Sequence, residues 1–153
     1  MRAKQQEIIS TLGVKPNIQP VQEIEKRSQF LANYLGETGL NGFVLGISGG
    51  QDSLLAGIIT QRAVDICNKN NREVYFHTML LPYGIQHDRA DAELSIEIIK
   101  SNFSDRKNII EHDLNIKTSV DAMVKEFANE CQPIGDFNKG NIKARMRMIG
   151  QYA

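Results

Sequence analysis

The stretch Phe43 to Ser53, FVLGISGGQDS, constrains this chain more than any other. A short apolar run, bounded upstream by Gly42, enters two adjacent glycines and is followed by Leu54, Leu55, Ile58, Ile59, Ala63 and Ile66 at helical spacing. An uninterrupted apolar run of this length is the pattern of a strand covered on both faces in a parallel sheet, because a half-exposed strand would alternate apolar and polar residues. Strand, glycine corner and amphipathic helix in that order predict the opening of a β-α-β unit.

The alternation recurs downstream. Glu73 to Leu81 (EVYFHTMLL) is rich in aromatic and aliphatic residues and stops at Pro82-Tyr83-Gly84, which predicts a second strand over Glu73–Leu81 after a polar surface loop at Asn68-Lys69-Asn70-Asn71. A helix is expected from about Asp88 to Ser101, a weaker strand over Asn108–His112, and a helix from the stripe Ile116, Val120, Met123, Phe127 and Cys131. A last helix is expected over about Asn141–Ala153, and an upstream one over Pro20–Leu35, with Pro20 at its first position and Gly36 and Gly39 as its stop. Three strand–helix alternations predict a Rossmann-like, doubly wound α/β sheet: parallel, joined by right-handed crossovers, flanked by helices on both faces, with ligands at the carboxyl ends of the strands. No repeat or linker divides the 153 residues, so residues 1–153 are expected to form one domain.

Composition narrows the partners. Lys plus Arg and Asp plus Glu number 18 each, which leaves no global positive field for a nucleic acid. No window approaches the ~20 apolar residues of a membrane span, so a cytoplasmic, membrane-free protein is expected. Cys67 and Cys131 form no C-x-x-C pair and read as small buried thiols, while His77, His87 and His112 have no metal-ligand spacing.

The glycine corner carries the chemistry. A helix starting near Asp52 offers unpaired N–H groups and about half a positive charge at its N-terminus. Gly49 and Gly50 lack Cβ, so the backbone there can adopt left-handed conformations and approach a ligand as a concave nest of donors, with the Ser48 and Ser53 hydroxyls beside it. A carboxylate at Asp52 would repel phosphate unless a cation lay between them, and Mg²⁺ is the natural bridge. A helix cap would account for Asp52 and one glycine, but not for the second glycine or the hydroxyls. No lysine follows the glycines, so this is not the G-x-x-x-x-G-K-[ST] loop, and the spacing is not G-x-G-x-x-G.

SGGQDS resembles the loop of the N-type ATP pyrophosphatases, which cleave ATP between its α and β phosphates. With GFVLGISGGQDS, with LPYG at Leu81–Gly84, with Gln86, Asp88, Asp91 and Ala92, and with DFNKGNIKARMRMIGQYA from Asp136, the chain resembles the ammonia-dependent NAD synthetases over almost its whole length. The resemblance implies a homodimer that uses ATP, Mg²⁺ and ammonia to convert deamido-NAD (nicotinic acid adenine dinucleotide) to NAD, AMP and pyrophosphate through an adenylated intermediate. It implies that Gly46, Ile47, Ser48, Gly49, Gly50, Gln51, Asp52 and Ser53 bind ATP, that Asp52 holds Mg²⁺, and that Asp52, Ser48 and Ser53 act in catalysis by positioning and electrostatics. Arg145 in the KAR block would bind deamido-NAD, with Phe137 and Tyr34 against the nicotinate ring; a solvated basic face shared with Lys139, Lys143 and Arg147 is the plainer alternative for Arg145.

The sequence departs from the family pattern at two places. Leu80 stands where many members have an arginine, so adenine would be held by apolar contact at Leu80 and by backbone or Gln86. The chain also stops at Ala153 inside a helix, whereas the family continues through further ATP and Mg²⁺ groups; a fragment of low or no activity by itself is expected, drawing on free ammonia. Two other readings are an RNA-modifying adenylating enzyme, disfavoured by the neutral charge, and a non-catalytic ATP-binding module.

Overall fold

The computed structural model describes residues 2–15, 17–103 and 106–153. Its order is α1 (Ala3–Leu12), α2 (Pro20–Thr38), β1 (Gly42–Gly46), α3 (Gln51–Lys69), β2 (Tyr75–Leu80), α4 (Arg89–Ser101), β3 (Ile109–Asp113), α5 (Lys117–Glu130) and α6 (Asp136–Tyr152). The three strands form one parallel sheet in the order β1-β2-β3, with Phe43 beside Phe76 and Phe76 beside Ile109. This is the helix-flanked, parallel Rossmann-like architecture expected from the alternating pattern.

One sheet face carries Phe43, Leu45, Phe76, Leu80 and Ile109 into a core with Ala32 and Leu35 of α2, Ala63 and Val64 of α3, and Ile96 and Ile99 of α4. Leu35, Val64, Phe76 and Ile99 are fully buried, and each such side chain contributes about 1.5–3 kcal/mol through removal from water. The opposite face is different. There α5 and α6 gather Met79, Leu81, Ile116 and Val120 into a second cluster at the carboxyl end of the sheet. Val44, on that face and away from that end, is 47% exposed. The expectation of a first strand buried on both faces is therefore corrected: the α5–α6 pair covers only the end of the sheet where the strands lead into the loops.

Several boundaries moved for local reasons. Helix α2 runs through Gly36 and ends at Gly39, whose left-handed backbone (φ 69°) lets its N–H reach Leu35 O at 3.1 Å. Helix α3 extends into the expected loop as far as Lys69, because Asn68 clamps Val74: its Oδ1 accepts from Val74 N at 2.9 Å and its Nδ2 donates to Val74 O at 3.1 Å. Helix α6 starts five residues before the expected Asn141, with Gly135 as its N-cap and Asp136 in its first turn. Helix α1 buries no residue, and its large apolar side chains, Ile8, Ile9 and Leu12, are confined to its second half, too short a stripe to announce it. Cys131 is exposed at the end of α5 and only Cys67 is buried, which corrects the expectation of two buried thiols.

Candidate functional site

The backbone leaves β1 at Gly46, with Ile47 N still bonded to Met79 O at 2.9 Å, and reaches α3 through Ser48, Gly49 and Gly50. Only one of the two glycines needs its special freedom. Gly49 has φ +84°, and a Cβ there would lie 2.9 Å from Ala92 N and 3.0 Å from Asp91 Cβ, so the loop is pressed against the first turn of α4. Gly50 has φ −80° and ψ 158° and is the N-cap of α3. The left-handed freedom that both glycines offer is used at Gly49 alone: Gly50 sits in the extended conformation that an N-cap requires, which other residues also adopt.

The loop is braced from within. Ser53 Oγ donates to Gly50 O at 2.9 Å and accepts from Ser48 N at 3.2 Å. Ser48 Oγ lies 3.1 Å from Ser53 Oγ and accepts from Gly50 N at 3.3 Å. With the Ser53 proton on Gly50 O, the Ser48 proton is directed at Ser53 Oγ, so both hydroxyls are spent on the loop's shape. Donating to a phosphate would require exchanging those bonds. The amides are another matter: among the described residues, the N–H groups of Gly49, Gln51, Asp52 and Ser53 have no protein acceptor. Four free amides at the start of a 19-residue helix form an anion-binding end.

Asp52 lies in the first turn of α3, one position inside Gln51, and therefore does not cap the helix. Its exposed carboxylate has no hydrogen bond or ion pair among the described residues. A lone carboxylate beside free amides suits Mg²⁺, which takes few protein carboxylates and fills its shell with phosphate oxygens and water. Among the described residues no cluster of three or more His, Cys, Asp or Glu offers a cage made of protein ligands alone.

A cleft of about 340 Å³ opens beside the loop, between the ends of β1 and β2, the start of α4, and α6. Gly46, Ile47, Ser48, Leu80 and Gln86 line it, so the structure brings these expected ATP residues together. Asp88, Arg89, Arg147 and Gln151 line it as well. Arg89 donates to Asp113 and to Glu93, each at 2.7 Å, and these bonds, Asp113's first, raise its pKa above the ordinary arginine value. Gln151 Oε1 accepts from Gly46 N at 3.0 Å and Arg147 Nε donates to Leu81 O at 3.0 Å, which ties α6 to the exits of both strands.

The turn after β2 is held from α5 and α6. Asn115 Oδ1 accepts from Gly84 N at 3.1 Å and Lys117 N at 3.0 Å, while Tyr83 Oη donates to Asp121. Lys143 Nζ lies 4.1 Å from the centre of the Tyr83 ring and Lys139 Nζ 5.1 Å. The Lys117 ammonium and the Tyr83 hydroxyl bonded to Asp121 hold its carboxyl at about 2.

The expected dinucleotide residues lie elsewhere. Arg145 points away from the cleft, bonds Asn141 O of its own helix at 3.2 Å and lines an apolar groove between α5 and α6 with Met123, Phe127 and Met146. Phe137 is 84% exposed in the first turn of α6, and Tyr34 stands half exposed on α2. The structure does not gather these three around the loop. What the sequence reading missed is the inward side of α6: Lys139, Lys143, Arg147 and Gln151 recur every four residues, a spacing that places them on one helical stripe.

Residues 23–153 match the family model described as NAD synthase. The chain is 45% identical over 150 residues to the NH(3)-dependent NAD(+) synthetase of Bacillus subtilis, covering 97% of this chain and 53% of that protein. It is 46% identical over 151 residues to the NH(3)-dependent NAD(+) synthetase of Halalkalibacterium halodurans, with the same coverage of 97% and 53%. Among solved structures, the NAD+ synthetase from Burkholderia pseudomallei superposes with a TM-score of 0.85 at 36% identity, covering 98% of this chain and 64% of that one. The chain thus spans about half the length of the curated relatives it matches.

Proposed function

The chain belongs to the NAD synthase family, and on that premise we propose that it forms the ATP-cleaving portion of an enzyme that amidates deamido-NAD with ammonia, yielding NAD, AMP and pyrophosphate. The observation that carries this reading is the loop itself: the free amides of Gly49, Gln51, Asp52 and Ser53 follow Ser48, which lines a cleft of about 340 Å³, and Gly49 packs against Ala92 of the same cleft, whereas Gln51, Asp52 and Ser53 lie outside its lining.

A carboxylate cannot be aminated directly at a useful rate, because oxide or hydroxide is a poor leaving group. In the proposed reaction a nicotinate carboxylate oxygen bonds to the α-phosphorus of ATP while the bond from that phosphorus to the bridging oxygen breaks and pyrophosphate leaves. Ammonia then adds to the activated carbonyl, gives up a proton, and displaces AMP. This chain's residues act by positioning and electrostatics, with no covalent nucleophile. The loop amides receive the pyrophosphate end, the braced hydroxyls of Ser48 and Ser53 keep those amides aimed, and Leu80 and Gln86 supply an apolar wall and an amide for adenine. Mg²⁺, when bound, would be held by Asp52 with phosphate oxygens and water and would offset charge on the leaving group.

The groove lined by Met123, Phe127, Arg145, Met146 and Ile149 offers apolar surface with one cation, which suits an aromatic ring and a phosphate of the dinucleotide remote from the reacting carboxylate. Its exposed Phe127 and Ile149 also suit a second copy of the chain, and a homodimer with the dinucleotide site at its interface follows from this reading.

Exchange of labelled pyrophosphate into ATP tests the reaction in the protein that carries this segment. Exchange is expected to require both Mg²⁺ and deamido-NAD, and Asp52→Asn should lower it at least about 100-fold at limiting Mg²⁺, the scale of losing a principal electrostatic contact. Wild-type exchange by the variant would remove Asp52 from the metal role, and ATP binding without exchange would favour a non-catalytic module.

A further inference from the structure

Arg147 is half buried in the cleft wall, and its Nε is committed to Leu81 O at 3.0 Å. Among the described residues no carboxylate pairs with it and its terminal Nη groups have no acceptor. The other arginine of the cleft, Arg89, is neutralised by Asp113 and Glu93. A guanidinium partly withdrawn from water and left without a counter-ion is unfavourable, and an anion entering the cleft relieves that cost. Its helix is pinned on both sides of this residue: Lys143 sits over Tyr83 one turn earlier, and Gln151 one turn later accepts from Gly46 N while donating to Arg147 O at 3.2 Å. The side chain is therefore held in a preorganised place, with its outer fork the part left for a ligand.

Resting on the nucleotide reading of the cleft, we infer that Arg147 binds the α-phosphate of the nucleotide, a contact distinct from the loop amides that receive the pyrophosphate end. One cleft is lined by Ser48 of the loop, by Leu80 and Gln86 that offer an apolar wall and an amide to the base, and by Arg147 beside Leu81, so a phosphate linking base and pyrophosphate end shares its walls with this guanidinium. A cation there also meets the phosphorus at which the proposed bond exchange takes place, so the contact would persist from ATP to AMP.

Calorimetric titration of the chain with AMP, adenosine and inorganic pyrophosphate, each alone and with Mg²⁺, separates the possibilities. For Arg147→Gln, AMP affinity is expected to fall at least about tenfold, the loss associated with one charge-assisted hydrogen bond, while adenosine and pyrophosphate affinities stay within about threefold. Arg147→Lys should recover part of the loss, as a point charge lacking the planar fork. Equal losses for AMP and adenosine would overturn the inference in favour of a purely structural hold on Leu81. Unchanged AMP affinity, or an equal fall in pyrophosphate affinity, would also overturn it. If the wild-type chain bound neither AMP nor pyrophosphate, the nucleotide reading of the cleft would fall first and this assignment with it.

Discussion

Replacing Gly49 and Gly50 separately by alanine tests the geometry of the loop, because the two glycines are adjacent yet do different work. At Gly49 the backbone has φ +84° and a new Cβ would sit 2.9 Å from Ala92 N, 3.0 Å from Asp91 Cβ and 3.1 Å from Asp91 C. An L-residue in a left-handed conformation costs about 1–2 kcal/mol, and forcing a methyl group into a packed contact typically costs a further ~1–3 kcal/mol. The obstacle includes helix backbone, so relief requires moving the loop or the first turn of α4. Reduced freedom of the unfolded chain returns about 0.4–1 kcal/mol, which leaves a net destabilisation of about 1–5 kcal/mol, centred near 3. At Gly50 the backbone is already extended and the new Cβ would meet only Ser48 Oγ at 3.5 Å, an ordinary contact. There the loss of a glycine N-cap and the gain in unfolded-state entropy are each below about 1 kcal/mol and oppose one another. Urea unfolding followed by far-ultraviolet circular dichroism would measure both variants. With m of about 2 kcal/mol/M, the middle of the usual range, the central value for Gly49→Ala corresponds to a midpoint shift of about 1–2 M, and Gly50→Ala should shift it by a few tenths. A Gly49→Ala protein within about 0.5 kcal/mol of wild type, or equal losses in the two variants, would refute the argument from φ and close approach.

Asp121 links the turn after β2 to α5, and its carboxyl is held at about 2 by hydrogen bonds from Lys117 and then Tyr83. A carboxyl lowered in the folded state stabilises above its unfolded value of about 3.9, and that contribution is lost as pH falls through about 2. Asp121→Asn should therefore flatten the fall in thermal stability between pH 5 and pH 2; an unchanged slope would show that other carboxylates govern the acid limb. In the core, a Cβ at Gly57 would lie 2.4 Å from Cδ1 of the fully buried Ile99. Gly57→Ala should cost about 1–2 kcal/mol, as overpacking outweighs the gain in helix propensity. Ile99→Val, which removes that methyl group, should cost about 0.5–1.5 kcal/mol alone and much less in the Gly57→Ala background. Additive losses in this double-mutant cycle would show that the two sites do not collide.

Much of the fold was legible because its signals are local. The apolar runs at Phe43–Leu45 and Phe76–Leu80, the stripes of α3 and α4, and the glycine corner all report on neighbours within a few residues. Helix α1 and the true start of α6 were not legible. The former buries nothing, and Gly140 lies inside the latter, a residue about 1 kcal/mol poorer than alanine in a helix interior. In the site, Ile47, Ser48, Leu80 and Gln86 could be named from motif and position, and the structure brings them to one cleft. Arg147 and Gln151 could not be placed there from the KAR block alone, since the same periodicity serves a solvated basic face. Their four-residue spacing with Lys139 and Lys143 was the available signal.

The sequence by itself determined a parallel α/β unit with a glycine corner leading into a helix after its first strand, because strand and helix periods and glycine chemistry are written in consecutive residues. Only the tertiary structure decided which glycine is strained, which face of the sheet lies open near Val44, and which arginine looks into the cleft. Those outcomes depend on contacts across long separations, such as Gly49 against Ala92 and Gly46 against Gln151. No local pattern encodes the direction from which a distant helix arrives.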